Sequence, residues 1–244
     1  MKGLITAAGL GKRSMASKYY RKELFSVYDF RDGSVVIRPI LDAVIYRMKY
    51  VGVNEIYIVL DQEDCVTKKF IEDSYPELQI IIQKERRGYG YAVYLAREYI
   101  DSPFVLNAGD GMIIDPDLEK DILKRYRSGN FLVSFRVDDP TKYGVVRMEG
   151  DAVVGVVEKP EVPPSNMALA AFYILDPSVF NFINIETTDS ELTPAIDATI
   201  REGVKTDLYE IAKDQWISVG QALKYVDVVN STYRFAVDRM SAVR

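Results

Sequence analysis

An α/β fold is what this 244-residue sequence predicts. Apolar, strand-like runs alternate with amphipathic stretches from residue 3 to about residue 129, and such alternation builds βαβ units with a parallel, Rossmann-like sheet. The first run, in GLITAAGLGKR (3–13), ends in a loop holding Gly9, Gly11, Lys12 and Arg13. A strand followed by glycines and cations is a frequent way of holding phosphate.

The elements follow in order. GLITAA (3–8) reads as a buried strand, and FSVYDFRDGSVVIRP (25–39) as two short strands about an Asp32-Gly33 turn. Residues 39–51 predict a helix, because Pro39 suits a first turn, Ile40, Val44 and Met48 share one face, and Gly52 follows the end. A strand at 55–60, a helix near 64–74, a strand at 78–83 and a helix near 90–100 continue the series. The strand FVLNAG (104–109) ends at Asp110, and a helix led by Pro116 runs towards Gly129.

After Asn130 the texture changes. Residues 131–137, 143–148, 152–158 and 168–175 read as strands, with helices near 176–184, 191–202 and 220–236. These strands either extend the first sheet or form a flanking lobe. Ligands of open α/β sheets sit at the carboxyl ends of the strands. That end gathers the 9–13 loop, the residues after Gln83, and Asp110.

Composition narrows the chemistry. The formal charge of −5 argues against a nucleic-acid partner, whose binding needs a basic surface. No apolar run approaches the ~20 residues of a membrane span. The opening apolar stretch is short and interrupted, unlike a secretory leader. There is no histidine, and Cys65 is the only cysteine. Ser-His-Asp and Cys-His catalysis within the chain are therefore excluded, as are the usual zinc and haem sites. No intrachain disulfide can form, which suits a reducing compartment. A cytoplasmic protein is expected. An enzyme with this inventory works through Asp, Glu, Lys, Arg and Tyr, or an oxygen-ligated metal such as Mg²⁺. Phosphoryl-type transfer fits, since positioning and charge stabilisation carry most of it.

The glycine loop matches neither familiar phosphate template. A dinucleotide fingerprint needs a third glycine where Ser14 stands, and a Walker A loop needs its first glycine where Thr6 stands. L-I-T-A-A-G-L-G-K-R with Lys22 nine residues on instead resembles the opening of the sugar-phosphate nucleotidyltransferases, which make nucleotide-diphospho-sugars. The resemblance continues in order. VIRPILDAVIYRMKYVGVNEIYIV, Gln83 with GYGYA (88–92), FVLNAGDGMI, KYGVVRM, VVEKPEVPPSNMALAAFYIL, ELTPAIDATIREG and WISVGQALKYVDVVN each resemble a family motif. Together they cover nearly the whole chain.

The resemblance implies a three-layer α/β/α mixed sheet in a single domain, with a nucleotide-binding half (1–129) and a sugar-phosphate-binding half (130–244). The C-terminal β-helix that some relatives carry is not expected, since the sequence ends soon after the helix at Tyr225–Asn230. The implied reaction joins a nucleoside triphosphate to a sugar-1-phosphate and releases pyrophosphate. Its spacing from Gln83 to Gly88 leans to UTP or dTTP with glucose-1-phosphate, and a homo-oligomer is left open. Mg²⁺ is the implied cofactor.

By the same resemblance Ala8, Gly9 and Gly11 cradle the triphosphate, Arg13 clamps the leaving pyrophosphate, and Lys22 stabilises charge at the α-phosphoryl group. Asp110 is a Mg²⁺ ligand, and Gln83 and Gly88 meet the base. Gly144, Glu158, Lys159 and Glu191 hold the sugar and its phosphate. Of Tyr89 and Tyr91, one faces the pocket and the other packs. Each residue has a plainer reading: a turn glycine, a solvated lysine, a turn-capping aspartate, or a charge at a strand or helix end.

Three positions depart from the family pattern. Arg21 replaces the proline before the lysine, Thr193-Pro194 replaces a Thr-Asp pair, and Ser218 stands where the second metal-binding aspartate belongs. A hydroxyl is a weaker Mg²⁺ ligand than a carboxylate. Two functions follow: an active nucleotidyltransferase with Ser218 as a weak ligand, or a nucleotide-binding protein of the same fold with little turnover. Retention of Arg13, Lys22, Asp110 and Lys159 favours the first.

Overall fold

A computed structural model describes residues 1–9 and 20–243. The expected cradle residues Gly11 and Arg13 therefore lie outside the described residues. Among the described residues nine strands form one mixed sheet. Strand β1 (Lys2–Ala7) lies parallel between β4 (Glu55–Asp61) and β6 (Phe104–Ala108), and β5 (Gln79–Gln83) continues beyond β4. On the far side of β6 runs antiparallel β11 (Met167–Leu175). It also pairs with β8 (Asn130–Arg136) and β9 (Gly144–Glu149). Strand β10 (Ala152–Glu158) completes the edge beyond β9, and β12 (Thr206–Glu210) lies parallel to β8. The later strands thus extend the first sheet, the first of the two arrangements the sequence allowed.

Alternation along the strands divides the core. Ile5, Ile58 and Val105 face one side of the sheet, and Leu4, Tyr57 and Leu106 the other. The first side is covered by α1 (Ile40–Tyr50), α2 (Cys65–Ser74) and α4 (Pro116–Arg125), through Leu41, Val44, Met48, Ile71 and Ile122. The second is covered by α3 (Tyr89–Tyr94), a 3₁₀ segment at Pro177–Phe182 and α5 (Thr193–Arg201), through Val93, Phe180 and Ile196. Phe104 stacks on Phe180 with ring centres 5.3 Å apart. Truncating Phe104 to alanine would cost about 3–5 kcal/mol through lost burial and a cavity.

Local chemistry sets the boundaries. Asp32 and Gly33 both take positive φ, at 50° and 79°, in the two-residue turn between β2 (Ser26–Arg31) and β3 (Ser34–Pro39). That is the mirror-image turn that Asp-Gly favours. Asp64 accepts from the Thr67 amide at the start of α2, and Asp115 caps α4 with Pro116 in its first turn.

Several elements differ from expectation. The helix near 90–100 is α-helical only to Tyr94, and bonds from Ala96, Arg97 and Tyr99 to carbonyls three residues back tighten the chain beyond it. The helix towards Gly129 ends at Arg125, and that near 176–184 is a 3₁₀ segment opened by Pro177. The last helix, α6 (Tyr225–Val243), starts five residues after Gly220, behind a 3₁₀ turn at Ala222–Lys224, and residues 216–218 form a strand. That strand, β13 (Trp216–Ser218), pairs with the short β7 (Gly111–Ile113). Among the described residues no helix is long and apolar enough to cross a membrane.

Candidate active site

The carboxyl ends of β1, β5 and β6 meet at one edge of the sheet. Gly109, just past β6, donates its amide to the Thr6 carbonyl of β1 at 2.9 Å, so Asp110 emerges beside Ala8 and Gly9. The chain returns to this point through a 3₁₀ turn at Lys22–Leu24. There the Lys22 ammonium lies 2.6 Å from Asp110 Oδ2 and 3.8 Å from Glu23 Oε1. Arg21, which replaces the family's proline, pairs its Nε with Asp64 Oδ2 at 2.7 Å, both side chains being buried. An ion pair therefore holds the segment where a rigid ring was expected.

Glu23 is buried, with 1% of its surface exposed, and its Oε2 has no hydrogen-bond partner among the described residues. Burial pushes its carboxyl up to about 7; Lys22 pulls it down and Asp110 pushes it further up. Ser218 is fixed beside Asp110 by β13, which sets Ser218 opposite Gly111 and leads the Val219 amide to the Asp110 carbonyl at 2.9 Å. A Cβ on Gly220 would stand 3.2 Å from both Asp110 Oδ2 and Ser218 Oγ. Glycine at 220 leaves that space clear.

At the next strand end, Gln83 is buried and donates its amide nitrogen to the Glu85 carbonyl at 2.9 Å. Gly88 has φ 93°, and a side chain there would run into the Ser190 backbone. The Gly90 amide in turn donates to the Ser190 carbonyl at 2.7 Å, which clasps this loop to the one carrying Glu191. Tyr89 lines the cleft with a buried hydroxyl, and burial holds that phenol well above its ordinary range. Tyr91 stacks on Tyr94 instead, so Tyr89 is the pocket residue and Tyr91 the packing one.

The opposite wall comes from the second half of the chain. The Lys159 ammonium bonds Glu158 at 2.8 Å and Glu191 at 2.6 Å. Partial burial alone would lower the Lys159 pKa, but these two carboxylates outweigh it and hold the ammonium above its ordinary range. Lys159 has φ 42°, a left-handed conformation in a residue that precedes Pro160. Strain of about 1–3 kcal/mol at such a position is characteristic of functional loops. Thr193 donates its hydroxyl to Glu158 Oε2 at 2.5 Å. A Cβ on Gly144 would stand 2.9 Å from Thr193 Oγ1 and 3.3 Å from Glu158 Oε2, so a larger residue would close this corner.

Both walls line one cleft of about 860 Å³. Ala8, Gly9, Lys22, Gln83, Gly88 and Asp110 line it from the first half. Gly144, Glu158, Lys159, Glu191 and Ser218 line it from the second. Thr193, Tyr89 and Glu23 also reach it, and the last was missed although it directly follows Lys22. A phosphate-bearing substrate meets ammonium groups from both sides of such a cleft, with acidic and hydroxyl oxygens between them. Among the described residues no three acidic or cysteine side chains converge to hold a metal. Asp110, Ser218 and Glu23 supply oxygen donors only, the chemistry that suits Mg²⁺.

Fold and site together define a protein of the nucleotide-diphospho-sugar transferase fold. Two solved structures share it. The UDP-glucose pyrophosphorylase from Acinetobacter baumannii superposes with a TM-score of 0.77 at 21% identity, over 100% of this chain and 98% of that one. A UDP-glucose pyrophosphorylase complexed with UDP-glucose gives 0.77 at 20% identity, over 96% and 99%. The sequence profile of the Nucleotidyl transferase family matches residues 2–234, and the chain belongs to that family, among the sugar-phosphate nucleotidyltransferases.

Its relatives include the UTP–glucose-1-phosphate uridylyltransferase AglF of Haloferax volcanii, 29% identical over 73% of this chain and 77% of the relative. The low-salt glycan biosynthesis nucleotidyltransferase Agl11 of the same organism is 25% identical over 91% of this chain and 63% of its own length. A bifunctional sugar-1-phosphate nucleotidylyltransferase/acetyltransferase of Sulfurisphaera tokodaii is 26% identical over 93% of this chain, which spans 54% of that protein.

Proposed function

We propose that this chain joins UTP or dTTP to glucose-1-phosphate, giving a nucleotide-diphospho-glucose and pyrophosphate. The observation that carries the reading is the cleft itself, with Lys22 and Asp110 on one wall facing Lys159, Glu158 and Glu191 on the other. The relative named as a UTP–glucose-1-phosphate uridylyltransferase supports the choice of base and sugar.

In this reading Lys159 receives the sugar phosphate, and Glu158 and Glu191 accept hydrogen bonds from sugar hydroxyls. The two carboxylates hold the ammonium in place before substrate arrives, which lowers the ordering cost of binding. A phosphate oxygen of the sugar-1-phosphate attacks the α-phosphorus in line, and the bond to the β-phosphate oxygen breaks. Lys22 faces the charge that develops on the α-phosphoryl oxygens. Arg13 takes the leaving pyrophosphate by resemblance. Gly88 presents backbone to the base, and Gln83 keeps a carbonyl acceptor and one remaining N–H for its edge.

Mg²⁺ would be held by Asp110, with Ser218 and triphosphate oxygens completing its shell, and it supplies charge neutralisation at the phosphates. The clear space at Gly220 between the two side-chain oxygens supports that fit. One or two carboxylates plus phosphates commonly suffice for Mg²⁺.

The test is pyrophosphate release with Mg²⁺, a panel of nucleoside triphosphates and glucose-1-phosphate. Release with UTP or dTTP is expected. Silence across the panel, with nucleotide still raising the melting temperature, would identify a binding protein instead.

A further inference from the structure

We infer that Glu23 is the second carboxylate of the divalent-cation site, taking the part that Ser218 cannot. The inference rests on the proposed metal role of Asp110 and adds a residue that the family resemblance did not supply.

Three observations carry it. Glu23 and Asp110 flank one cationic centre, the Lys22 ammonium, at 3.8 Å and 2.6 Å. Positive charge is thus already held between the two carboxylates. Glu23 is almost wholly buried, yet it lines the cleft, and its Oε2 has no hydrogen-bond partner among the described residues. A buried carboxylate oxygen without a hydrogen-bond partner costs stability unless a ligand satisfies it. Finally, Ser218 occupies the corner beside Asp110 with a neutral hydroxyl, which already accepts from the Gly220 amide at 3.2 Å. The hydroxyl adds no negative charge beside Asp110, whereas Glu23 brings a second carboxylate to the same Lys22 ammonium that Asp110 binds.

Glu23 is also placed firmly. It lies in the 3₁₀ turn directly after Lys22, and Arg21 anchors that turn through its buried pair with Asp64. A dication held between Glu23 and Asp110 takes over the role that the Lys22 ammonium plays in the structure described. The dication and the Lys22 ammonium then both act on the α-phosphoryl oxygens, so metal binding and phosphate binding support one another.

Direct metal binding tests this without turnover. Mn²⁺ is titrated into the protein in the presence of a non-hydrolysable nucleoside triphosphate and followed by electron paramagnetic resonance. Glu23→Gln should weaken binding tenfold or more, as Asp110→Asn should, while its metal-free melting curve stays at or above the unmodified one. Glu23→Gln/Ser218→Asp should recover most of the lost affinity, because the carboxylate is returned to the other corner. Unchanged Mn²⁺ affinity in Glu23→Gln, with loss in Asp110→Asn, overturns the inference alone. Unchanged affinity in both overturns the metal assignment of Asp110 as well.

If Glu23→Gln does not fold, the unmodified protein gives the answer. With ¹³C-carboxyl glutamate, substoichiometric Mn²⁺ should broaden one of the two buried glutamate signals, Glu23, and spare Glu119. Two sharp buried signals would overturn the proposal.

Discussion

Arg21 Nε lies 2.7 Å from Asp64 Oδ2, with both side chains buried, one residue before Lys22 of the cleft. Two segments that are far apart in sequence, the approach to Lys22 and the start of α2, are joined by this pair. Breaking a buried pair by removing one partner leaves an uncompensated charge and costs about 3–5 kcal/mol. Arg21→Ala should lower stability by that order in urea denaturation. Because Lys22 follows directly, kcat for pyrophosphate release should fall more than KM for the triphosphate rises. Loss of stability with unchanged kcat would show that the pair has no part in placing Lys22.

Asp110 accepts from Lys22 and stands at the end of β6. Asp110→Asn keeps the shape and removes the charge. It should lower kcat by roughly a hundredfold or more, the scale of losing a principal electrostatic group, with an unchanged near-ultraviolet circular dichroism spectrum. Full activity would remove Asp110 from the mechanism.

Lys159→Ala should act on the sugar side. The variant loses the ammonium that Glu158 and Glu191 hold in place, so KM for glucose-1-phosphate should rise at least tenfold. Triphosphate affinity, measured by calorimetry without the sugar, should stay within about twofold. An equal loss for both substrates would place Lys159 at a shared phosphate subsite.

Glu119 gives a pH-dependence with a definite sign. Burial pushes its carboxyl from 4.5 up to about 8, against the pull of Arg47. Below pH 4.5 it is protonated in both folded and unfolded chains and costs nothing. As pH rises towards 8, the unfolded chain releases the proton that the folded chain keeps, so stability falls across that window. Glu119→Gln should therefore leave the melting temperature unchanged near pH 4.5 and raise it near pH 8. At this chain length each kcal/mol is worth roughly 2–4 °C. An equal shift at both pH values would mean that titration of Glu119 is not the cause.

Local pattern alone located most of the sheet and the first-half helices, because burial on both faces writes apolar runs and the Asp32-Gly33 turn has only one comfortable geometry. The described residues that the ordered motifs named all line the one cleft, but much of its remaining wall, Glu23 included, was not named. Short strands were another matter. β7, β12 and β13 have three, five and three residues. Their strand character comes from partners such as β8 that are remote in sequence. The helix expected near 90–100 is α-helical only over Tyr89–Tyr94, and tighter bonds to carbonyls three residues back follow it.

What the sequence by itself determined was the class of fold and the family, and it directed the expected phosphate chemistry to one end of the sheet. These depend on periodicity and on residue types at fixed spacing. Tertiary structure alone decided that Tyr89 rather than Tyr91 faces the cleft and that Arg21 replaces a proline by pairing with Asp64. It alone placed Glu23 beside Asp110 while Ser218 holds the corner of the missing carboxylate. Those facts are contacts between side chains whose sequence separation carries no period, so only the folded chain brings them together.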